Sequence, residues 1–224
     1  MLYALLIASA LYLSRNIYIL MLQLPDELAQ GPIYRIFYFH LPGYLTGAAC
    51  FLLTGVFSAL YLRTRNWKWD SLAAAVTEVG LPFAIMNLIT GMIWGRIIWG
   101  IWWTWDPRLS TALLSAAIYA GYLMLRRAIP DATERAKNSA VLGIFAFASV
   151  ILTYKSNEWF RTQHPAPVLS IRTGGGTIDP AMEMMLGHNL LALAMLATVL
   201  VAIRWNQEER RREIESLRRE ALAY

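Results

Sequence analysis

Six long apolar runs constrain this 224-residue chain more than any other feature. A helix crosses the hydrocarbon core of a bilayer with about 20 apolar residues, and an open sheet would leave its backbone unsatisfied in lipid. Hydrophobic residues make up 57% of the chain, charged residues 16%, and the mean hydropathy is +0.42. We therefore expect an all-α polytopic membrane protein with six transmembrane helices, near residues 2–22, 41–62, 72–94, 109–126, 138–155 and 182–204.

The distribution of lysine and arginine predicts the orientation, because cytoplasmic loops are the basic ones. Of the 20 basic residues, 13 fall in the second and fourth connections and the C-terminal segment, whereas six fall in the other loops. Both termini are then cytoplasmic. The loops at 23–40, 95–108 and 156–181 face outward, which means the periplasm in a Gram-negative-type cell. No basic residue precedes the first run, so we interpret it as a retained helix and not as a signal peptide.

The sequence divides into a membrane domain, residues 1–204, and a charged cytoplasmic tail, residues 205–224. Two acid-before-base pairs at i,i+4, Glu208/Arg212 and Glu215/Arg219, favour a helical tail. A tail of this kind either docks a cytoplasmic partner or anionic lipid, or is a solvated helix. Charge runs are usually solvated.

Several classes of function are disfavoured. The basic residues are too dispersed to indicate nucleic-acid binding. The single cysteine, Cys50, lies in an apolar run, so thiol exchange and covalent attachment of haem through CxxCH are excluded. The sequence contains no Ser/His/Asp constellation, HExxH or Walker A motif, which disfavours a stand-alone enzyme that would use one of these sites.

The second outer loop is rich in tryptophan. An aromatic belt explains about one or two Trp per helix end, but five of the nine Trp lie here: Trp94, Trp99, Trp102, Trp103 and Trp105. Asp106 and two guanidiniums, Arg96 and Arg108, lie at the margin. A wide aromatic surface with bidentate arginines suits a flat, apolar, dianionic ligand such as a porphyrin. Quinone is a rival flat ligand, but it lacks the acid groups.

Two of the three histidines lie in outer loops that flank the tryptophans. His40 ends the first loop and His164 lies in the third. Each alone is more often structural, but two loop histidines on one side of the membrane are able to clamp both faces of a haem iron. Arg35 and Arg161 are further candidates for propionates. The third histidine, His188, lies inside the sixth run, and we interpret it as a neutral side chain bonded to a neighbouring helix and not as a functional group. Glu78 and Asn87 interrupt the third run; a proton relay and a helix–helix contact are equally compatible with them, and we leave them out of the site.

Three segments together resemble a known family. Trp94–Ser110, WGRIIWGIWWTWDPRLS, resembles the tryptophan-rich "WWD" signature of the haem-handling proteins of cytochrome c biogenesis. Within that superfamily the chain is most similar to the haem exporter protein C (CcmC) family. Arg35–Pro42 and Glu158–His164 are similar to that family's two histidine motifs. The resemblance covers nearly the whole chain apart from the tail.

This resemblance implies a role in haem transport. His40 and His164 would be the axial ligands of haem b, bound non-covalently and in transit. Haem would contact Trp99, Trp102, Trp103, Trp105 and Asp106, with Arg108 beside them. The site would face the periplasm from the bacterial inner membrane. The implied partners are a periplasmic haem chaperone (CcmE-like), ABC transporter subunits (CcmA/CcmB-like) and a small single-span subunit (CcmD-like), besides membrane lipid.

Three alternatives remain at this stage. A CcsA-like component of a cytochrome c haem lyase would deliver haem directly to apocytochrome c, and His188 is one residue of the transmembrane pair expected there. A quinone-linked membrane oxidoreductase subunit would usually carry its histidine pairs within helices. A transporter permease would need broken helices around a polar site at the membrane midplane.

Overall fold

The computed structural model describes residues 2–165, 169–170, 175–176 and 179–222. Its six helices are α1 (Leu2–Leu22), α2 (Phe37–Thr64), α3 (Trp67–Trp99), α4 (Pro107–Ala128), α5 (Ala132–Trp159) and α6 (Pro180–Leu222). All six are long and apolar enough to cross a membrane. The predicted all-α fold with six transmembrane helices is therefore confirmed.

Three short elements accompany the helices in the described part of the chain. A 3₁₀ helix, Pro32–Ile36, leads directly into α2. Between α5 and α6, the two-residue strands β1 (Leu169–Ser170) and β2 (Gly175–Gly176) pair antiparallel.

Several helices extend beyond their apolar runs because polar caps begin them. Asn66 accepts the backbone N–H of Lys68 at the start of α3, and Asp131 accepts that of Glu134 at the start of α5. Hydropathy marks only the segment that faces lipid, whereas capping side chains satisfy the backbone donors of the first polar turn. The helix α6 likewise continues through residue 204, so the described tail residues 205–222 extend the sixth span without a break.

The central helix is α2, which packs against α3, α5 and α6, while α1 packs on α6 and α4 on α5 and α3. Small residues bring the helices close together. A methyl group at Gly80 would lie 2.7 Å from Cβ of Cys50, and one at Gly143 would lie 2.5 Å from Oγ of Ser58. Such contacts are typical of helices that associate in lipid, where packing and not water exclusion holds them together.

A buried ion network closes one end of the bundle, where the α2–α3 and α4–α5 connections and the end of α6 meet. Arg126 binds both carboxylate oxygens of Asp70, at 2.6 and 3.0 Å. Arg212 of α6 binds the same carboxylate at 2.8 Å and the carbonyl oxygen of Trp67 at 2.7 Å. The charged extension of α6 is thereby attached to α3 and α4. The outer loops of the sequence analysis gather at the opposite end.

Candidate functional site

A cavity of about 420 Å³ lies at the end of the bundle opposite the ion network. Helices α2, α3, α4 and α5 form its walls, and the loops before α2 and after α5 contribute its rim. The structure brings most of the sequence-predicted site residues to this one cavity. The predicted site residues that line the cavity are His40, Trp99, Trp103, Arg108 and His164, and Trp94 lines it as well.

His40 lies in the first turn of α2, and its ring is held by α3. Nδ1 lies 2.9 Å from the hydroxyl oxygen of Thr90. That hydroxyl donates its own proton to the carbonyl of Met86 at 2.8 Å, so it accepts from Nδ1 in the tautomer that carries a proton there. The Asn87 amide nitrogen lies near both ring nitrogens, and in this tautomer it donates to Nε2. The proton on Nδ1 leaves the lone pair of Nε2 for a metal, which is how ligating histidines are usually oriented.

His164 follows the end of α5 and reaches the same tautomer by a different contact. Its Nδ1 lies 3.0 Å from the carbonyl oxygen of Pro165. A carbonyl only accepts, so Nδ1 donates and the lone pair is again on Nε2. Burial lowers the pKa of the His164 imidazole below its usual range, which favours the neutral ring that a metal requires.

Aromatic rings and one cation complete the cavity wall. The ring of Trp94 meets that of His40 edge-on, with centroids 5.9 Å apart, and its Nε1–H donates to the Gln30 side chain at 2.8 Å. The Arg108 guanidinium lies 4.9 Å from the centroid of the Tyr44 ring and donates to the carbonyl of Thr153. Among the described residues, no carboxylate forms an ion pair with Arg108, so its charge is available to an anionic ligand.

Three residues of the predicted tryptophan-rich site lie elsewhere. Trp102 and Trp105 are 55% and 79% exposed and are not among the lining residues. Asp106 is buried and also lies outside the lining, with its carboxylate bonded to Thr162 and Gln163. Within the predicted tryptophan-rich site, only Trp99 and Trp103 are thus tryptophans that line the cavity. The contacts of haem with Trp102, Trp105 and Asp106 stay predictions.

The remaining arginine candidates do not line the cavity either. Arg35 pairs with Asp26 at 2.8 Å. Arg96 bonds to the carbonyl of Gly100, where a positive φ of 76° ends α3. Arg161 is exposed. Arg108 is thus the one arginine among the residues described as lining the cavity.

The sequence argument missed three residues on one face of α3. Thr90 binds Nδ1 of His40. Asn87, left out of the site above, donates to the carbonyl oxygen of His40 at 3.0 Å, and its amide nitrogen lies 3.2 Å from Nδ1 and 3.3 Å from Nε2. A methyl group at Gly91 would lie 3.1 Å from Cε1 of His40. The available signal was the spacing of 87, 90 and 91, which places all three on one helical face.

Two other polar groups are satisfied by their own neighbours. His188 of α6 bonds through Nδ1 to the Tyr12 hydroxyl of α1 at 2.5 Å, and it does not line the cavity. Glu78 of α3 pairs with Arg204 of α6. Both are contacts between helices, the interpretation preferred above for His188 and one of the two left open for Glu78.

The cavity fits a haem in several respects. Its volume lies in the range typical of ligand sites, about 300–1,000 Å³. It offers two imidazoles whose Nε2 atoms carry lone pairs, apolar aromatic walls and an arginine without an acidic partner in the part of the chain that the structure describes. The absence of a side chain at Gly91 gives the His40 ring the space it occupies.

Comparison with known proteins agrees with this fit. The family described as "Heme exporter protein C" (CcmC) matches residues 1–220. The heme exporter protein C of Bradyrhizobium diazoefficiens is 32% identical over 197 residues, covering 86% of this chain and 73% of that protein. That of Paracoccus denitrificans is 32% identical over 198 residues, covering 86% and 80%, and that of Escherichia coli K12 is 27% identical over 180 residues, covering 80% and 72%. The chain belongs to the haem exporter protein C family.

Proposed function

We propose that the chain binds haem in this cavity and passes it on, with His40 and His164 as the two axial ligands of the iron. The observation that carries the proposal is that both imidazoles line one cavity, each with Nδ1 engaged and Nε2 left for a metal. The haem is of the b type and non-covalent. The contact of Nε2 of His40 with the Asn87 amide, at 3.3 Å, is weak and yields to the iron.

The other lining residues hold the rest of the ligand. Trp99 and Trp103 offer ring faces to the macrocycle, and aromatic stacking adds about 0.5–1.5 kcal/mol per pair beyond burial. The Arg108 guanidinium pairs with a propionate, since it has no acidic partner among the described residues. Trp102 and Trp105 are exposed and lie outside the lining, so contacts of these two rings with haem are part of the proposal and not of the cavity wall.

Release to a partner follows from the nature of the ligands. Two neutral imidazoles bind iron reversibly, and no cysteine lies at the site to form a thioether link. We propose that a periplasmic haem chaperone takes the haem from the outer face of the inner membrane. The named function of the relatives, haem export, supports ABC transporter subunits and a small single-span protein as further partners.

Optical spectra of the detergent-purified protein, titrated with haemin, test this proposal. The wild type gives a six-coordinate, low-spin spectrum with one haem per chain. His40→Ala and His164→Ala each lose that spectrum, because one axial position is left empty. His188→Ala is the matched control, because this histidine bonds to Tyr12 away from the cavity and its loss leaves the spectrum unchanged.

The same titration separates the alternatives. A wild type that binds no haemin overturns the proposal. A spectrum lost only in His188→Ala would move the iron into the membrane and favour the CcsA-like or oxidoreductase function. Transfer is tested separately, by adding a purified periplasmic haem chaperone and following the loss of the bis-histidine spectrum from this chain.

A further inference from the structure

We infer that Asp106 acts as a positioning residue that ties the tryptophan-rich loop to the segment carrying His164, and that it is not a contact of the haem itself. The effect on iron binding by His164 rests on the proposed function, whereas the hydrogen bonds that hold the two segments together do not depend on it. The side chain is only 8% exposed, and it lies outside the cavity lining.

The carboxylate of Asp106 receives hydrogen bonds from two directions. Oδ1 accepts the backbone N–H of Arg108 at 2.8 Å, which caps the start of α4. Oδ1 also accepts the hydroxyl of Thr162 at 2.6 Å, and Oδ2 accepts the backbone N–H of Gln163 at 2.8 Å. One side chain thus joins the start of α4 to the segment that follows α5.

The connection extends to His164. The Thr162 oxygen that donates its proton to Asp106 accepts the backbone N–H of His164 at 3.0 Å. A second support comes from Asn157, whose side-chain amide donates to the carbonyl of Pro165 at 2.9 Å. Residues 160–165 are not helical, so these bonds, and not a helical ladder, position the imidazole.

Only an ionised carboxylate is able to accept the hydrogen bonds from Arg108, Thr162 and Gln163 together. Burial alone would raise the pKa of Asp106, but the hydrogen bonds from Thr162, Gln163 and Arg108 outweigh it and hold the pKa below its usual range. No lysine or arginine side chain forms an ion pair with Asp106 within the described ranges. Its charge is therefore satisfied by loop donors, and these are the groups that fix His164.

Asparagine is the informative substitution because it keeps the shape of the side chain. In either orientation of the amide, Asp106→Asn places an N–H₂ group against a donor, Gln163 on one side or Thr162 and Arg108 on the other. Thr162→Val is the second variant, because it cuts the link to His164 and leaves the cap on α4 intact. Asp131→Asn is the matched control, because Asp131 caps α5 in the same manner but lies at the other end of the bundle.

Hydrogen exchange of the haem-free protein tests the tether directly. We expect the Gln163 amide, which donates to the Asp106 carboxylate, to exchange about tenfold faster in Asp106→Asn, because a hydrogen bond to a charged group is lost. In Thr162→Val we expect the His164 amide to exchange faster, because the hydroxyl that accepts its N–H is removed. Asp131→Asn leaves the exchange of both amides unchanged. Unchanged exchange in both Asp106→Asn and Thr162→Val would overturn the tether, whether or not the protein binds haem.

The haem-loaded protein tests the consequence. Asp106→Asn shifts ferric haem from six-coordinate low-spin toward five-coordinate high-spin while His40 stays bound, and added imidazole restores the low-spin form, as it does for His164→Ala. A variant that loses affinity yet keeps the bis-histidine spectrum would instead make Asp106 a direct haem contact. If the wild type binds no haem, the proposed function fails, and the exchange result alone decides the tether.

Discussion

At the scale of single residues, the site depends on how two histidines are oriented as much as on their presence. The sequence predicted His40 and His164 as ligands of the haem iron because both belong to the predicted outer loops. It gave no sign that Thr90 sets the tautomer of His40, because a threonine in an apolar helix is compatible with ordinary packing. Nor did it show where the Asp106 carboxylate points, although an aspartate before Pro107 is a recognisable helix start. Side-chain direction depends on tertiary contacts that a linear pattern does not contain.

Thr90→Val tests the orientation of His40. Valine has the shape of threonine but cannot accept the Nδ1–H, so the ring loses its fixed tautomer. Loss of the hydrogen bond that orients a metal-binding histidine typically weakens metal binding by about 10–100-fold, and we expect that reduction in a haemin titration. Thr90→Ser keeps the hydroxyl and should bind as the wild type does. Equal weakening by both substitutions would show that packing and not the hydrogen bond matters.

Gly91→Ala tests the space that the His40 ring occupies. The added methyl group would lie 3.1 Å from Cε1, so the ring must move away by a few tenths of an ångström and haem affinity should fall. Gly121→Ala in α4 is the control, since nothing lies within 4 Å of a methyl group there. Alanine favours the helix by up to about 1 kcal/mol at both positions. We therefore expect haem binding to weaken in Gly91→Ala but not in Gly121→Ala, and we expect neither variant to lose thermal stability.

At the scale of elements, the sequence predicted the number and order of the helices but not their ends. Run length decides whether a segment crosses a membrane, and all six runs became helices. Helices α3, α4 and α5 begin before the predicted residues because Asn66, Asp106 and Asp131 cap polar first turns that precede the apolar runs. The longest extension is that of α6 beyond residue 204. An ion pair between Arg212 of this extension and Asp70 holds it against α3. Such pairings join residues far apart in sequence, and charge spacing within one helix does not reveal them.

Asp70→Asn tests how far this network stabilises the bundle. The substitution removes the carboxylate that holds both terminal nitrogens of the Arg126 guanidinium, which is 8% exposed, and leaves it only the contact with Glu208, at 3.3 Å. Removing one partner of a buried pair costs about 3–5 kcal/mol, so the thermal midpoint in detergent should fall by several degrees. Glu134→Gln breaks the exposed pair with Lys137, 4.0 Å apart, and should change stability by at most about 1 kcal/mol. Similar midpoints for the two variants would contradict a structural role for the network.

At the scale of the whole molecule, the candidate haem site and the ion network occupy opposite ends of one six-helix bundle. The bundle accounts for this separation, because alternate connections of antiparallel helices gather at each end. His40 in the first turn of α2, Trp99 at the end of α3 and His164 after α5 lie at one end, and the basic connections lie at the other. The distribution of charge predicts that the basic end is cytoplasmic.

Cysteine labelling tests the orientation. Leu28→Cys, at a position that is fully exposed in the first outer loop, should react with a membrane-impermeant maleimide in intact spheroplasts. Glu134→Cys, near the α4–α5 connection, should react only after the membrane is opened. The natural Cys50 is 5% exposed and inside the bundle, so it contributes little background. The reverse pattern would place the haem site in the cytoplasm and exclude a periplasmic acceptor.

Electron paramagnetic resonance of the wild-type protein loaded with ferric haem reports the axial ligands of the iron, and so tests whether His40 and His164 bind it. We expect a low-spin, bis-imidazole signal that represents all of the bound haem and disappears in both His40→Ala and His164→Ala. A high-spin signal in the wild type, or a bis-imidazole signal that survives the loss of either histidine, would contradict binding of the iron by these two residues.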